Sequence, residues 1–125
     1  MSTEEVAWKL VEFCREGEWI KAVSTLYADD IVSVEAEPIG EMPAEMRGLE
    51  AVLGKAKWFM ESNEIHMCKV GDPFVARDTF VVQYDLDVTD KASQQRAEMS
   101  EVAIYTVREG KVAREEFLPA AEKKS

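Results

Sequence analysis

The chain has few of the residues that usually mark a metal or nucleophilic centre. Its 125 residues include two cysteines and one histidine. Two cysteines are too few for a disulfide scaffold, and they form no Cys-x-x-Cys pair, so we predict no zinc site. One histidine excludes a metal site built from several histidines of one chain. Cys14 falls among the apolar residues of a predicted helix, so we expect a buried free thiol rather than a nucleophile.

Long apolar runs and cofactor-binding motifs are also missing. No apolar run approaches the length of a membrane span. The first residues, Met1 to Glu5, lack the basic and apolar regions of a signal peptide, so we expect a cytoplasmic protein. The sequence contains no Walker-type glycine loop, no G-x-G-x-x-G and no G-x-S-x-G motif. We therefore predict no cofactor.

Basic residues are scarce relative to acidic ones. The 15 Lys and Arg face 25 Asp and Glu, which gives a net charge of −10. Such a surface repels phosphate backbones and anionic lipids, so we expect neither nucleic acid nor membrane as a partner. Hydrophobic residues make up 46% of the chain, enough for a buried core. We predict one domain over residues 1–125, ending in a short charged tail at 120–125.

The first half of the chain has mainly helical periodicity. Apolar residues recur at helical spacing after a cap at Ser2 or Thr3 and continue until Gly17. A second helix is predicted over 18–27 and a third over 49–61. Between them lie an acidic turn after Tyr27, a short strand over 31–34 and a proline-containing loop over 38–47.

The second half has the alternation of β-strands. Candidate strands cover 64–71, 74–89, 96–108 and 111–118, separated by turn residues. Glu109-Gly110 is a hairpin signal because glycine accepts a positive φ. Helices followed by antiparallel strands predict an α+β fold, with a pocket between the sheet and the third helix.

Several segments together resemble the nuclear transport factor 2-like superfamily, most of all its SnoaL-like polyketide cyclase and ketosteroid isomerase branches. The resemblance covers nearly the whole chain. It rests on Tyr27-Ala28-Asp29-Asp30, Glu37-Pro38-Ile39-Gly40, Arg47-Gly48-Leu49-Glu50-Ala51-Val52 and the ending Arg108 to Phe117. It implies a cone-shaped, curved antiparallel sheet wrapped around three helices (the cystatin-like α+β barrel). It also implies a homodimer and a small-molecule pocket.

Glu37 is the first candidate catalytic residue. It precedes Pro38 at the edge of the expected pocket. By resemblance, it stands where the isomerases have the carboxylate that shuttles a proton beside a carbonyl. The isomerases' two oxyanion-stabilising groups fall near Leu10 and Ala103, which cannot serve, so steroid isomerisation is not expected. As a base Glu37 must be buried, since burial raises the pKa of a carboxyl. The alternative is an exposed loop glutamate.

His66 and Glu101 are the other catalytic candidates. His66 has the only side chain whose unperturbed pKa lies near neutrality, and in a cavity it could pair with a carboxylate. It could equally lie on the outer sheet face. Glu101 shares a strand face with Ala103 and Tyr105, a face that the resemblance places inward. A glutamate there must be paired or neutral. The alternative is a glutamate at the dimer contact.

The remaining candidates concern the pocket walls. Trp58, Met60, Tyr84 and Tyr105 are predicted to line the pocket, although aromatic and methionine side chains more often fill cores. Asp85 and Asp87 share a strand face and are predicted to point outward.

We predict a protein that binds a small apolar molecule. It could be a cofactor-independent acid/base enzyme of cyclase, isomerase or dehydratase type. The alternatives are a non-catalytic binding protein and an interaction module that has lost its pocket.

Overall fold

The structure is a computed structural model that describes residues 1–120, which form three helices and one seven-stranded sheet. The predicted tail lies outside the described residues from position 121 onward. None of the helices in the described range is long and apolar enough to cross a bilayer. The elements are α1 Thr3–Arg15, α2 Trp19–Leu26, β1 Tyr27–Val34, β2 Glu45–Arg47, α3 Leu49–Ser62, β3 Asn63–Val70, β4 Phe74–Ala76, β5 Thr79–Asp90, β6 Arg96–Arg108 and β7 Lys111–Pro119.

The helix ends follow local sequence signals. Ser2 caps α1 in a capping box, in which its side chain accepts from the Glu5 amide and the Glu5 carboxylate accepts from the Ser2 amide. Gly17 has a φ of 74° and separates α1 from α2. The three predicted helices are confirmed to within a residue or two.

The sheet has the order β2-β1-β7-β6-β5-β3, with β4 paired to β5. Strands β1 and β7 are parallel, and the other pairs are antiparallel. The α+β class and three helices are confirmed. The sheet is mixed rather than wholly antiparallel, and it is open because β2 and β3 do not pair with each other.

Three local predictions were wrong. Strand β1 begins at Tyr27, so Asp29 and Asp30 lie in a strand rather than a turn. The predicted loop over 38–47 contains the short strand β2. The predicted strand over 74–89 is divided by a turn at Arg77, whose φ is 57°. The extent of β1 depends on its pairing with the distant strand β7, whereas β2 pairs with β1 and β4 pairs with β5 in a local hairpin.

The core lies between α1 and the inner face of the sheet. Phe80 is fully buried and stacks on Tyr105 with ring centroids 4.7 Å apart. Leu10 and Val11 of α1 are buried against the same cluster. Burial of these large side chains is the main term that stabilises the helices on the sheet.

We expect Phe80→Ala to lower the free energy of unfolding by about 3–5 kcal/mol, because the substitution leaves a cavity beside Tyr105. Phe74→Ala is the matched control, since Phe74 is 74% exposed on the neighbouring strand β4. The control should change stability by less than about 0.5 kcal/mol. Urea denaturation of both variants measures the difference. Equal losses would contradict this description of the core.

Candidate functional site

A cavity of about 390 Å³ lies between the helices and the inner sheet face. Its size is in the usual range for small-molecule sites. Trp19 and Phe59 form one wall and stack with ring centroids 5.6 Å apart. Trp58 and Met99 are 39% and 41% exposed, so they mark the opening. Most of the lining is apolar.

Beside the cavity lies a series of buried, hydrogen-bonded polar side chains, here called the polar chain. Lys55 Nζ of α3 donates to Ser33 Oγ of β1 over 2.5 Å. Ser33 Oγ donates to Glu115 Oε2 of β7, also over 2.5 Å. The other oxygen of Glu115 accepts from the Tyr27 hydroxyl. These four side chains are buried, and the hydrogen bonds compensate for the loss of water.

Lys55 has further contacts. Its Nζ is 3.1 Å from Glu35 Oε1, and the side chains of both residues are largely buried. The amine also lies 5.3 Å from the centre of the Phe117 ring, within cation–π range. Because the amine has contacts on several sides, its position is fixed by the fold.

The carboxyl group of Glu115 is held within this chain. Burial raises its pKa, while the hydrogen bonds from Ser33 and Tyr27 and the charge of Lys55 act in the opposite direction. Both of its oxygens have donors. Glu115 is therefore suited to a structural role.

The Glu101 carboxyl differs from that of Glu115 in its lack of hydrogen-bonding partners within the described part of the chain. It lines the cavity, and within residues 1–120 it has no hydrogen-bonding partner or ion pair. Burial raises its pKa to about 7, and the nearby carboxyls of Glu35 and Glu115 add to the shift, while Lys55 opposes it. Glu101 thus lies on the inward face together with Tyr105, the face that the resemblance placed inward.

Two tyrosines form the deep part of the cavity. The hydroxyls of Tyr84 and Tyr105 are 2.7 Å apart, and Cys14 Sγ is 3.7 Å from the Tyr84 hydroxyl. Burial raises the pKa of Cys14 to about 12, so the thiol stays protonated. The predicted buried free thiol is confirmed.

Two candidate catalytic residues lie outside the cavity. Glu37 is exposed beyond the end of β1, and its neighbour Ile39 contributes to the lining instead. The burial that a base at Glu37 requires is therefore absent. His66 is exposed at a bulge between β3 and β5, where its ring nitrogen is 2.7 Å from Thr89 Oγ1. Neither residue converges with Glu101.

The predicted pocket residues divide between two places. Trp58, Tyr84 and Tyr105 line the cavity, and their contact with a ligand stays a prediction. Met60 instead borders a shallow depression beside the α1–α2 turn. There, it cannot form part of the cavity wall.

The two aspartates of β5 have polar partners. Asp85 accepts from Ser100 Oγ over 2.5 Å. Asp87 is only 8% exposed, which departs from the predicted solvated face. Arg96 covers it through two hydrogen bonds of 2.9 and 2.8 Å, which lower the pKa of this carboxyl. Both aspartates are thus paired with side chains of the neighbouring strand β6.

The polar chain around Lys55 was not predicted. Lys55 is three residues after the buried Val52, so the two side chains share a side of α3, and both line the cavity. Charged residues on a helix are usually exposed, so this spacing alone does not indicate a buried lysine. Within residues 1–120, no three His, Cys, Asp or Glu side chains are placed to hold a metal ion.

Comparisons with known proteins decide the family. The model of the SnoaL-like domain family matches residues 1–118. The chain belongs to the SnoaL-like family. A similar solved structure is that of a proposed SnoaL-like polyketide cyclase from Mesorhizobium loti. It is 36% identical over 94% of this chain and 99% of that chain, with a TM-score of 0.88. No curated protein sequence matches the chain.

More distant structures share the fold of this SnoaL-like protein. A proposed isomerase from Bacillus subtilis is 16% identical over 96% of this chain and 90% of its own, with a TM-score of 0.74. A nuclear transport factor 2-like protein from Burkholderia pseudomallei is 14% identical, with coverages of 96% and 92% and a TM-score of 0.78. The predicted superfamily is confirmed, and family and fold together support a ligand-binding protein.

We expect Glu101→Gln to make the protein more stable at pH 8 but not at pH 4. The carboxyl pKa is about 7 when folded and about 4.5 when unfolded, so stability falls as pH rises from 4.5 through 7. Glutamine removes this loss, which should amount to about 1–3 kcal/mol. Urea denaturation at several pH values measures it. The control is Glu98→Gln, at an exposed position of the same strand. A pH-independent difference from this control would contradict the assignment.

Proposed function

We propose that this SnoaL-like protein is a cofactor-independent acid/base enzyme that acts on a small, largely apolar molecule, with Glu101 as the proton carrier. The observation that carries the proposal is the placement of the Glu101 carboxyl in the cavity without a polar partner among residues 1–120. The carboxyls of Glu35 and Glu115 are occupied by Lys55, Ser33 and Tyr27. Glu101 is thus the carboxyl of the lining that has neither an ion pair nor a hydrogen bond among the described residues.

The electrostatic surroundings of Glu101 support this role. A carboxyl with a pKa of about 7 is present in both protonation states near neutrality. It can take a proton from a substrate and return it without a large energetic penalty. The walls of the cavity are largely apolar and include the stacked rings of Trp19 and Phe59. Such a site suits proton transfer at carbon, where water would otherwise compete.

The relatives are consistent with this class of chemistry. The similar proteins from Mesorhizobium loti and Bacillus subtilis are proposed to be a polyketide cyclase and an isomerase. Cyclisation, isomerisation and dehydration can all proceed by proton transfers that need no cofactor. The choice among them depends on the substrate, since one fold hosts many reactions.

We also propose a homodimer formed through the outer sheet face. Apolar side chains are grouped there: Val102 is paired in register with Leu118, and Ile104 with Val81. Leu118 is 42% exposed. A patch of this kind on a sheet is typical of a contact surface. Ile104→Glu should yield a monomer in sedimentation analysis, because it puts a charge in the apolar patch. Thr106→Glu, at the edge of the patch, should have a smaller effect on the oligomeric state. A wild-type protein that sediments as a monomer would contradict the proposal.

Ring opening of 5-nitrobenzisoxazole tests Glu101 without knowledge of the natural substrate. A base removes the carbon-bound proton of this compound, the N–O bond breaks, and a coloured cyanophenolate forms. We expect the protein to accelerate the reaction, with a rate that rises with pH through about 7 as Glu101 ionises. Absorbance of the phenolate gives the rate.

Glu101→Gln should reduce kcat at least 100-fold, since it removes the base. Glu98→Gln should retain the wild-type rate, because Glu98 is exposed. Glu37→Gln should also retain it, since that residue lies outside the cavity lining. If the probe binds and Glu101→Gln reacts as fast as wild type, the enzyme proposal fails and a non-catalytic binding protein remains.

A further inference from the structure

The amine of Lys55 has an unused hydrogen-bond donor at the cavity. A lysine ammonium carries three N–H bonds. Two of them have acceptors, Ser33 Oγ at 2.5 Å and Glu35 Oε1 at 3.1 Å. Within residues 1–120 the amine makes no third hydrogen bond, and Lys55 lines the cavity. The third N–H is therefore available to a molecule in the cavity.

This donor is held in place before any ligand arrives. Lysine side chains are usually flexible, and ordering one on binding costs free energy. Here the residue is 8% exposed and its amine is fixed by two acceptors and the ring of Phe117. A donor fixed in a largely apolar cavity forms a stronger hydrogen bond than one in water.

We propose that Lys55 donates its third N–H bond to a carbonyl oxygen of the ligand, and that the cavity thereby selects neutral, apolar carbonyl compounds. The proposal rests on the ligand-binding cavity of the proposed function and adds a specificity-determining residue to it. The oxygen of a ketone, aldehyde or ester is an acceptor without charge, and the apolar walls suit the rest of such a molecule.

The charges around the cavity exclude anionic ligands. Lys55 supplies the positive charge at the lining, and Glu35 balances it. Every ionisation of Glu101 or Glu115 then makes the site more negative. A carboxylate ligand would lose its hydration without meeting net positive charge, whereas a neutral carbonyl would lose little.

Lys55 and Glu101 would then act on the same molecule. Glu101 takes a proton from the carbon beside the carbonyl, and the C–H electron pair forms the C=C bond of an enolate. The carbonyl π electrons move to the oxygen, where the N–H of Lys55 stabilises the charge. The proton on Glu101 returns to carbon, so no oxidant or cofactor is needed. This supplies from α3 an oxyanion donor that Leu10 and Ala103 cannot provide.

A Ser–Lys nucleophile is the competing interpretation of the short contact between Ser33 and Lys55. It is disfavoured because Ser33 is fully buried and is absent from the cavity lining. Its hydroxyl also donates to Glu115. Substrate cannot reach the oxygen, so the contact serves to orient Lys55.

The test uses 2-acetonaphthone carrying a ¹³C label at the carbonyl. Isotope-edited infrared difference spectra report hydrogen bonding to the labelled oxygen directly. We expect the C=O stretch of the bound ketone to lie at lower frequency than that of the ketone in hexane. In Lys55→Met the stretch should move back toward the hexane value, and affinity should fall about 10- to 100-fold. Lys57→Met, at an exposed position of α3, should change neither.

Removing one partner of a buried ion pair can prevent folding, so Lys55→Met/Glu35→Gln serves as a second variant. It removes both charges and should show the same infrared change. In wild type, 2-naphthoate should bind at least tenfold more weakly than the ketone. The proposal is overturned by an absence of saturable ketone binding, by a stretch unchanged in both variants, or by tighter binding of the naphthoate.

The infrared and ring-opening experiments test the two proposals separately, so either proposal can fail without the other. A lowered C=O stretch that depends on Lys55, together with slow benzisoxazole opening, supports this proposal and contradicts the enzyme. Rapid, Glu101-dependent opening with an unchanged stretch supports the enzyme and overturns the role of Lys55.

Discussion

The Lys55 amine is the point on which the site depends. It lies where α3, β1 and β7 meet, and through Ser33 it is connected to Glu115 and Tyr27. A buried charge without partners costs several kcal/mol, so these groups must stay together. These hydrogen-bonded side chains fix how α3 lies on the sheet, and they thereby set the width of the cavity. Stability and site geometry therefore rest on the same contacts.

Two carboxyls of neighbouring strands show how surroundings determine a role. Glu115 and Glu101 both line the cavity and both have raised pKa values. Glu115 receives hydrogen bonds on both oxygens, while Glu101 has none within residues 1–120. The Glu115 carboxyl stabilises the packing of β7 on β1, and the Glu101 carboxyl is available for proton transfer. Burial alone does not distinguish the two, whereas hydrogen bonding does.

Sequence periodicity predicted the long elements well and the short ones poorly. The α1 and β6 segments repeat a pattern over 13 residues each, so packing and sequence agree. Strand β2 has three residues and exists because it pairs with β1. The parallel pairing of β1 with β7 joins the two halves of the chain and leaves no local signal. Such contacts are visible only in the folded molecule.

In the site, too, local sequence patterns show some features, whereas others depend on contacts between distant parts of the chain. Alternation along β6 puts Glu101 on one face with Ala103 and Tyr105, and the resemblance implies that this face points inward. The candidacy of Glu37 rests on a resemblance in sequence position, whereas its exposure follows from where β1 ends in the fold. The burial of Lys55 leaves no local signal, because its partners Ser33, Glu35 and Phe117 lie in or just after β1 and in β7. Periodicity shows that a side chain faces inward but not what it meets there.

The order of strands in the sheet has a consequence for synthesis on the ribosome. The last strand, β7, lies between β1 and β6, and without it β1 pairs only with the three-residue β2. The nascent chain can form helices early, but the sheet stays in two parts until residues 111–119 emerge from the exit tunnel. Glu115 arrives with them, so the acceptor for Ser33 and Tyr27 is missing until then. Such a chain should complete its sheet only once residues 111–119 have left the tunnel, and its exposed strands would be substrates for chaperones meanwhile.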